Sequence, residues 1–158
     1  MNKVYTVDAL AGIVESLQGR GQTVCFTNGC FDLIHVGHVR YLTAARSRGD
    51  VLIVGLNSDR SVSSIKGNRR PIIPQDYRAE VLAGLACVDF VVLFDAPDPL
   101  DVIRALKPDV LVKGADWEEE DIIGGDFVKA RGGRVERVPV VGGASTSLII
   151  DCILARYG

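Results

Sequence analysis

Apolar and polar positions alternate along the chain in blocks of two kinds. "TVCFTN", "VLIVGLN", "FVVLF", "VLVKG" and "RVERVPV" are short runs rich in Val, Ile and Phe. Most are apolar at consecutive positions, the pattern of strands covered on both faces. Between them lie longer segments with apolar residues at helical spacing. "VRYLTAARSRGD" places Val39, Leu42 and Ala45 on one stripe with Gly49 at its end, and "DYRAEVLAGLACVD" is a second such segment. "DPLDVIRALKPD" carries its own limits: Asp98 can cap the first turn, Pro99 suits the first helical position and Pro108 stops the helix. "TVDALAGIVESLQGRG" reads as a leading helix packed outside the sheet. "STSLIIDCILARYG" reads as a closing helix with Leu148, Ile149, Cys152 and Ile153 on an apolar face. The alternation predicts an α/β fold with a doubly wound, mainly parallel, five-stranded sheet.

The 158 residues, 47% of them hydrophobic, suffice for one domain with a continuous core, and no Pro/Ser linker or low-complexity tract divides them. A formal net charge of −2 gives no overall basic field, so an anionic ligand must be met by local groups. No apolar run approaches membrane-spanning length, and "MNKVYTVDAL" lacks the zones of a secretory signal. The expectation is a cytoplasmic protein with neither a nucleic acid nor a membrane as partner. Cys25, Cys30, Cys87 and Cys152 sit among apolar neighbours without a CxxC pair. They read as buried thiols of a reducing compartment rather than as metal ligands or disulfides.

Candidate chemistry concentrates in "TNGCFDLIHVGH", residues 27–38, which holds both histidines of the chain. It is the first strand-to-helix turn, at the carboxyl edge of the sheet where ligands of doubly wound folds bind. Neither G-x-G-x-x-G nor a Walker loop is present there. His35 stands just before a helix and His38 within its first turn, and Gly37 removes a side chain that would block a ligand. Imidazole donors would add to the free N–H groups and positive dipole end of the helix, which suits phosphate oxygens. A helix cap, or two ligands of a metal site, would use the same pair.

Three further regions carry polar groups. "NSDRSVSSIKGNRRPIIPQDYRAE" reads as a lid-like loop of more than a dozen residues with Lys66, Arg69, Arg70 and, further on, Arg78. Alone, a basic cluster is a solvated face. Beside a phosphate-binding turn in a chain of negative charge, it reads as Lys66 neutralising a triphosphate and Arg69 and Arg70 holding the partner substrate's phosphate. Arg78 is expected to orient the following helix or to lie at a subunit contact. In "GGASTSLII", Gly142 and Gly143 allow close backbone approach, and capping by Ser145 accounts for only one of three hydroxyls. Lys113 and Gly114 end a strand, with Asp116 and Trp117 beyond them, either as a polar loop or as a nucleotide contact.

Gly29, Phe31, Asp32, His35, Gly37 and His38 match G-x-F-D-x-x-H-x-G-H directly after a strand. The match closely resembles the signature of the cytidylyltransferase-like nucleotidyltransferases. That resemblance implies a Rossmann-like nucleotidyltransferase fold as a single domain over 1–158, with 1–21 as an N-terminal helix packed on it. It implies attack by an alcohol or phosphate oxygen on the α-phosphorus of a nucleoside triphosphate, expelling pyrophosphate without a covalent enzyme intermediate. His35, His38 and Lys66 would be catalytic. Asn28, Gly29, Phe31, Gly37, Lys113, Gly114, Asp116, Ser145, Thr146 and Ser147 would bind the nucleotide, and Arg69 and Arg70 the substrate phosphate. Mg2+ would accompany ATP, with Asp32 and Asp116 able to contribute but neither assigned as a ligand, and a homo-oligomer is implied. The family's Ser-Thr motif of the I-S-T-S/T kind contacts the triphosphate; here Ala144 takes its leading apolar position.

Within the family, "TNGCFDLIHVGHVRYL", "VGLNSD", "KGNRRPI", "VLVKGADW" and "GGASTS" most resemble the heptose 1-phosphate adenylyltransferases of ADP-heptose synthesis, in their stand-alone form. This implies transfer of AMP from ATP to D-glycero-D-manno-heptose 1-phosphate. Glycerol-3-phosphate cytidylyltransferases carry an arginine in an R-T-E-G-I-S-T motif, whereas Val140, Val141, Gly142, Gly143, Ala144, Ser145 and Thr146 stand here. That reading is disfavoured and stays open, as does a nucleotide-binding regulatory module.

Overall fold

Six parallel strands form the sheet that the apolar runs predict as five. In the computed structural model, which describes residues 2–158, they are β1 (Val4–Tyr5), β2 (Val24–Gly29), β3 (Val51–Asn57), β4 (Phe90–Phe94), β5 (Val110–Gly114) and β6 (Arg134–Val138), in the order β1-β4-β3-β2-β5-β6. The unforeseen strand, β1, has two residues, too few to show a period, and holds the sheet edge by pairing with Val91 and Val92. The 1–21 segment is therefore not all helix: α1 covers Val7–Gly19, and Thr6 caps it by accepting the Ala9 N–H at 3.3 Å. Met1 lies outside the described residues. β6 stops at Val138 because Pro139 has no N–H for the ladder.

Six more α-helices follow among the described residues: α2 (Val36–Arg46), α3 (Asp59–Lys66), α4 (Gln75–Gly84), α5 (Leu100–Leu106), α6 (Gly125–Ala130) and α7 (Thr146–Tyr157), with a 3-10 turn at Glu119–Asp121 before α6. Along β3 every residue is buried, and alternate side chains enter opposite cores. Ile53 joins Leu10 and Val14 of α1 and Ile103 of α5 on one face. Leu52, Val54 and Leu56 join Leu42 and Ala45 of α2 and Leu82 of α4 on the other. The inward stripe of α2 is Leu42 and Ala45; Val39, expected with them, is exposed. The apolar face of α7 is likewise uncovered, since none of its residues is buried. Of the four cysteines only Cys25 is buried, and Cys152 is exposed on α7.

The predicted long loop after β3 is mostly helix. Ser58 caps α3 by accepting the Ser61 N–H at 3.1 Å, and Asp59 sits in its first turn. Only residues 67–74 remain irregular before α4.

Strand order reverses between β2 and β5. β2 pairs with β3 from Val24 to Gly29, but with β5 only through Cys25 and Phe26. Beyond Phe26 the two strands part, and a crevice opens at their carboxyl ends, the topological switch point of a doubly wound sheet.

Candidate active site

The turn after β2 holds itself in shape. Phe31 adopts a left-handed backbone, φ 45°, and is buried, its ring turned back over Gly29. A Cβ on Gly29 would lie 2.9 Å from that ring. His35 is the N-cap of α2: its Nδ1 accepts the Gly37 N–H at 3.1 Å. His38 Nδ1 accepts the His35 N–H at 3.4 Å, which completes a capping box. With each Nδ1 accepting, Nε2 is the protonated, donating nitrogen of both rings. Capping and phosphate binding are thus two uses of the same imidazoles, one for each ring nitrogen. Burial, then the neighbouring His35 and Lys66, pushes His38 down to about 4, so at neutral pH it donates as an uncharged ring. Gly37 serves this geometry directly, because a Cβ there would lie 2.8 Å from His35 Cε1.

The crevice floor is assembled from strand ends distant in sequence. The Tyr41 hydroxyl lies 2.8 Å from Thr27 Oγ1 and donates to the Val112 carbonyl at 3.2 Å, bridging the parted strands. Burial pushes this phenol up to about 12, so it stays protonated. Lys113 Nζ donates to Asn28 Oδ1 at 2.7 Å across the same gap and lies 5.5 Å from the Trp117 ring centroid. Burial brings Lys113 down to about 8, against the upward pull of the Asp116 carboxylate.

The basic segment divides into separate roles. Lys66 ends α3, is exposed and lines the cleft. Arg70 also lines it, while its Nε donates to Asp32 at 2.6 Å. Asp32, 3% exposed, takes the Ile72 and Ile73 N–H groups as well. Burial alone would raise the Asp32 carboxyl; the Ile73 and Ile72 N–H groups and Arg70 outweigh it and hold it below its ordinary value. Asp32 therefore fastens residues 70–73 to the histidine turn. Arg78 is 1% exposed, which overturns its reading as a subunit contact. From inside α4 it donates to the carbonyls of Cys30, Asn57 and Ile73 and to Asp59 at 2.7 Å, tying the ends of β2 and β3 together. Arg69 is exposed and outside the cleft lining.

Two adjoining cavities of about 390 and 300 Å³ share His38, Tyr41, Lys66, Arg70 and Thr146. The first extends to Lys113, Gly114, Asp116 and Trp117, and the second to His35, Gly37 and Ser145–Ser147. The sequence profile of the cytidylyltransferase-like family matches residues 26–136, from β2 to β6. The chain belongs to the cytidylyltransferase-like family. As a member it is a nucleotidyltransferase. It is 55% identical over 156 residues to the bifunctional protein HldE of Geobacter metallireducens and 53% identical to that of Geobacter sulfurreducens. Each alignment covers 99% of this chain and 32% of the relative, so the chain spans about a third of the length of these relatives. Among solved structures it is similar to the lipopolysaccharide core biosynthesis protein of Thermoplasma volcanium, with a TM-score of 0.61, 26% identity, and coverage of 77% of this chain and 98% of that one. The pantoate-beta-alanine ligase of Francisella tularensis shares the fold at a TM-score of 0.61 and 15% identity, over 93% of this chain and 69% of that one.

Within this cytidylyltransferase-like site the cleft brings together His35, His38, Lys66, Asn28, Gly29, Gly37, Lys113, Gly114, Asp116 and the three hydroxyl residues. Ser145 is the N-cap of α7, accepting the Leu148 N–H at 3.1 Å, and Thr146 donates to the Leu33 carbonyl at 3.3 Å. Phe31 lines the cleft, with its ring centroid 5.3 Å from that of His38. Tyr41 was not legible as a site residue: its place depends on the helical step of three from His38 and on strand pairing that no local pattern encodes.

Proposed function

We propose that residues 1–158 act as one nucleotidyltransferase domain that transfers AMP from ATP to D-glycero-D-manno-heptose 1-phosphate. A phosphate oxygen of the sugar attacks the α-phosphorus of ATP; the bond from that phosphorus to the bridging oxygen breaks, and pyrophosphate leaves with the electron pair. The observation that carries this is the pair of Nε2–H donors held by the capping box beside Lys66. Preorganised donors aimed at developing phosphoryl charge are the main catalytic resource of such a transfer. The sugar rests on the resemblance to heptose 1-phosphate adenylyltransferases, supported by the HldE relatives and the lipopolysaccharide core biosynthesis neighbour.

Roles divide by position. His35 and His38 donate to phosphoryl oxygens, Lys66 neutralises the triphosphate, and the N-terminus of α7 with Ser145–Ser147 receives it. Arg70, rather than Arg69, is placed for the sugar's phosphate. Asp32 is occupied by Arg70 and backbone N–H groups, so Asp116 is the cleft carboxylate free for Mg2+, whose remaining ligands would be phosphate oxygens and water. That ion would neutralise charge on the triphosphate. The homo-oligomer implied by the family belongs to the same proposal; Leu148, Ile153 and Leu154, exposed on α7, are apolar surface for a second copy to cover. A cytoplasmic setting accords with the absence, among the described residues, of a helix long and apolar enough to cross a membrane.

The test is pyrophosphate release from each of four nucleoside triphosphates against heptose 1-phosphate and glycerol 3-phosphate. ATP with heptose 1-phosphate is the expected pair. CTP use with glycerol 3-phosphate alone replaces the assignment with a cytidylyl one.

A further inference from the structure

β2 and β5 pair through Cys25 with Val110 and Phe26 with Leu111, and the next pair in that register is Thr27 with Val112. At that level the ladder stops and a side chain takes its place. The Tyr41 hydroxyl has one proton and a carbonyl can only accept, so the proton goes to the Val112 carbonyl at 3.2 Å. Thr27 Oγ1, 2.8 Å from the Tyr41 oxygen, is then the donor of the second bond. Thr27 and Val112 are both fully buried, so the bridge lies in the floor of the crevice and not at its mouth. Its proton spent, the phenol has none left for a phosphate oxygen, and any part that Tyr41 plays in the transfer is played through geometry.

That geometry joins the two halves of the site. Tyr41 lies three residues beyond His38 on α2, on the same side of the helix. Among the described residues its two bonds are the side-chain hydrogen bonds that join α2 to β2 and β5. Asn28 follows Thr27 on β2, and Lys113 follows Val112 on β5. The two cavities of the cleft share Tyr41: one reaches Lys113 and Trp117, the other His35 and the hydroxyls of α7. A nucleotide lying across both needs its two sets of contacts at one fixed separation. We infer that Tyr41 is a positioning residue of the nucleotidyl transfer: its bridge to Thr27 and Val112 fixes α2, and His38 with it, against the end of β5. The inference rests on the proposed role of His38 as a phosphoryl donor and adds the residue that sets where this donor stands. A group that acts in this way governs turnover and leaves the affinity for the nucleotide nearly as it was, because the binding contacts themselves remain.

The experiment compares the wild type, Tyr41→Phe, and the double variant of Thr27→Val with Tyr41→Phe. Tyr41→Phe keeps the ring but leaves the buried Thr27 hydroxyl without its partner, which lowers stability; Thr27→Val removes that hydroxyl and returns stability without restoring the bridge. Turnover is read as pyrophosphate release from ATP with heptose 1-phosphate, and stability by urea melts. ATP affinity is read from the fluorescence of Trp117, the only tryptophan of the chain and a residue of the first cavity. The response of His38 to saturating ATP is read by imidazole NMR, in which the chain has two histidines to assign. The expected result is turnover lower by about tenfold in both variants with ATP affinity within about twofold of the wild type, a partial misplacement of the donor. The His38 response is smaller in both variants, and the urea midpoint recovers in the double variant. Wild-type turnover in Tyr41→Phe, turnover that recovers with stability in the double variant, or ATP affinity that falls as far as turnover overturns the inference. If the wild type releases no pyrophosphate, the proposed reaction falls and the NMR decides: a His38 response smaller in both variants sustains the positioning role, and one that is equal in the three proteins, or absent from the wild type, overturns it.

Discussion

The imidazoles of His35 and His38 lie with ring centroids 3.9 Å apart and their planes 34° from each other. Two rings so close cannot both carry charge cheaply, and burial, with the neighbouring His35 and Lys66, keeps His38 uncharged at neutral pH. Its Nε2–H therefore donates across the neutral pH range without a proton having to be gained first.

The first prediction concerns that proton. Imidazole NMR should show His38 in the Nε2–H tautomer, with shifts that stay constant from about pH 7.5 down to about 5. A titration near the ordinary histidine value contradicts the assignment. The effect on stability has a definite sign: the unfolded chain takes up the proton near pH 6.5 and the folded chain only near 4, so His38 stabilises the fold above this window and the contribution is lost as pH falls through it.

Gly37→Ala should leave α2 in place and push the His35 ring aside, since the added carbon would meet His35 Cε1. Turnover should fall by roughly tenfold to a hundredfold, as a misplacement of about 1 Å does. His35→Ala and His38→Ala should each lose at least about a hundredfold. His35→Ala should also lose about 1 kcal/mol of stability, because the cap goes with the donor. Steady-state kinetics and urea melts on the three variants check both parts.

Arg70→Met leaves the buried Asp32 with backbone partners only. Removing one member of a buried pair costs several kcal/mol, and the two remaining N–H groups should limit the loss to about 2 kcal/mol. Asp32 is held below the ordinary carboxylate value, so its contribution is present at neutral pH and lost as pH falls below that value. Urea melts should therefore show a smaller difference between Arg70→Met and the wild type in acid than at pH 7. A difference independent of pH contradicts the pairing.

Lys113 gives a limb of the same sign on the alkaline side. Its folded value is near 8 and its unfolded value 10.5. Between the two, the unfolded chain binds more protons, so wild-type stability should rise with pH relative to Lys113→Met. Binding of the nucleotide should weaken over the same rise, as the ammonium loses its proton. Thermal melts and affinities measured from about pH 7 to about 10 test both, and curves that run parallel for the two proteins contradict the buried ammonium.

The parallel core was legible because central strands such as β3 are apolar at nearly every position. β1 was not, because two edge residues owe their pairing to Val91 and Val92 and not to a pattern of their own. α3 was hidden because "SDRSVSSIK" offers one buried apolar side chain, Val62, and otherwise has the composition of a turn. The histidine turn could be read because its contacts are local, two and three residues apart. The basic cluster could not be divided, because the partners that separate Arg70 from Arg69, and Arg78 from both, are Asp32, Cys30 and Asn57, brought in by strand order.

Transfer itself is followed most directly with ATP labelled at its α-phosphorus, with and without heptose 1-phosphate. The account predicts label in a nucleotide-sugar product only when both substrates are present, in a one-to-one ratio with pyrophosphate, and its loss in His38→Ala. Label that stays in ATP, or appears as free AMP whether or not the sugar phosphate is present, contradicts it.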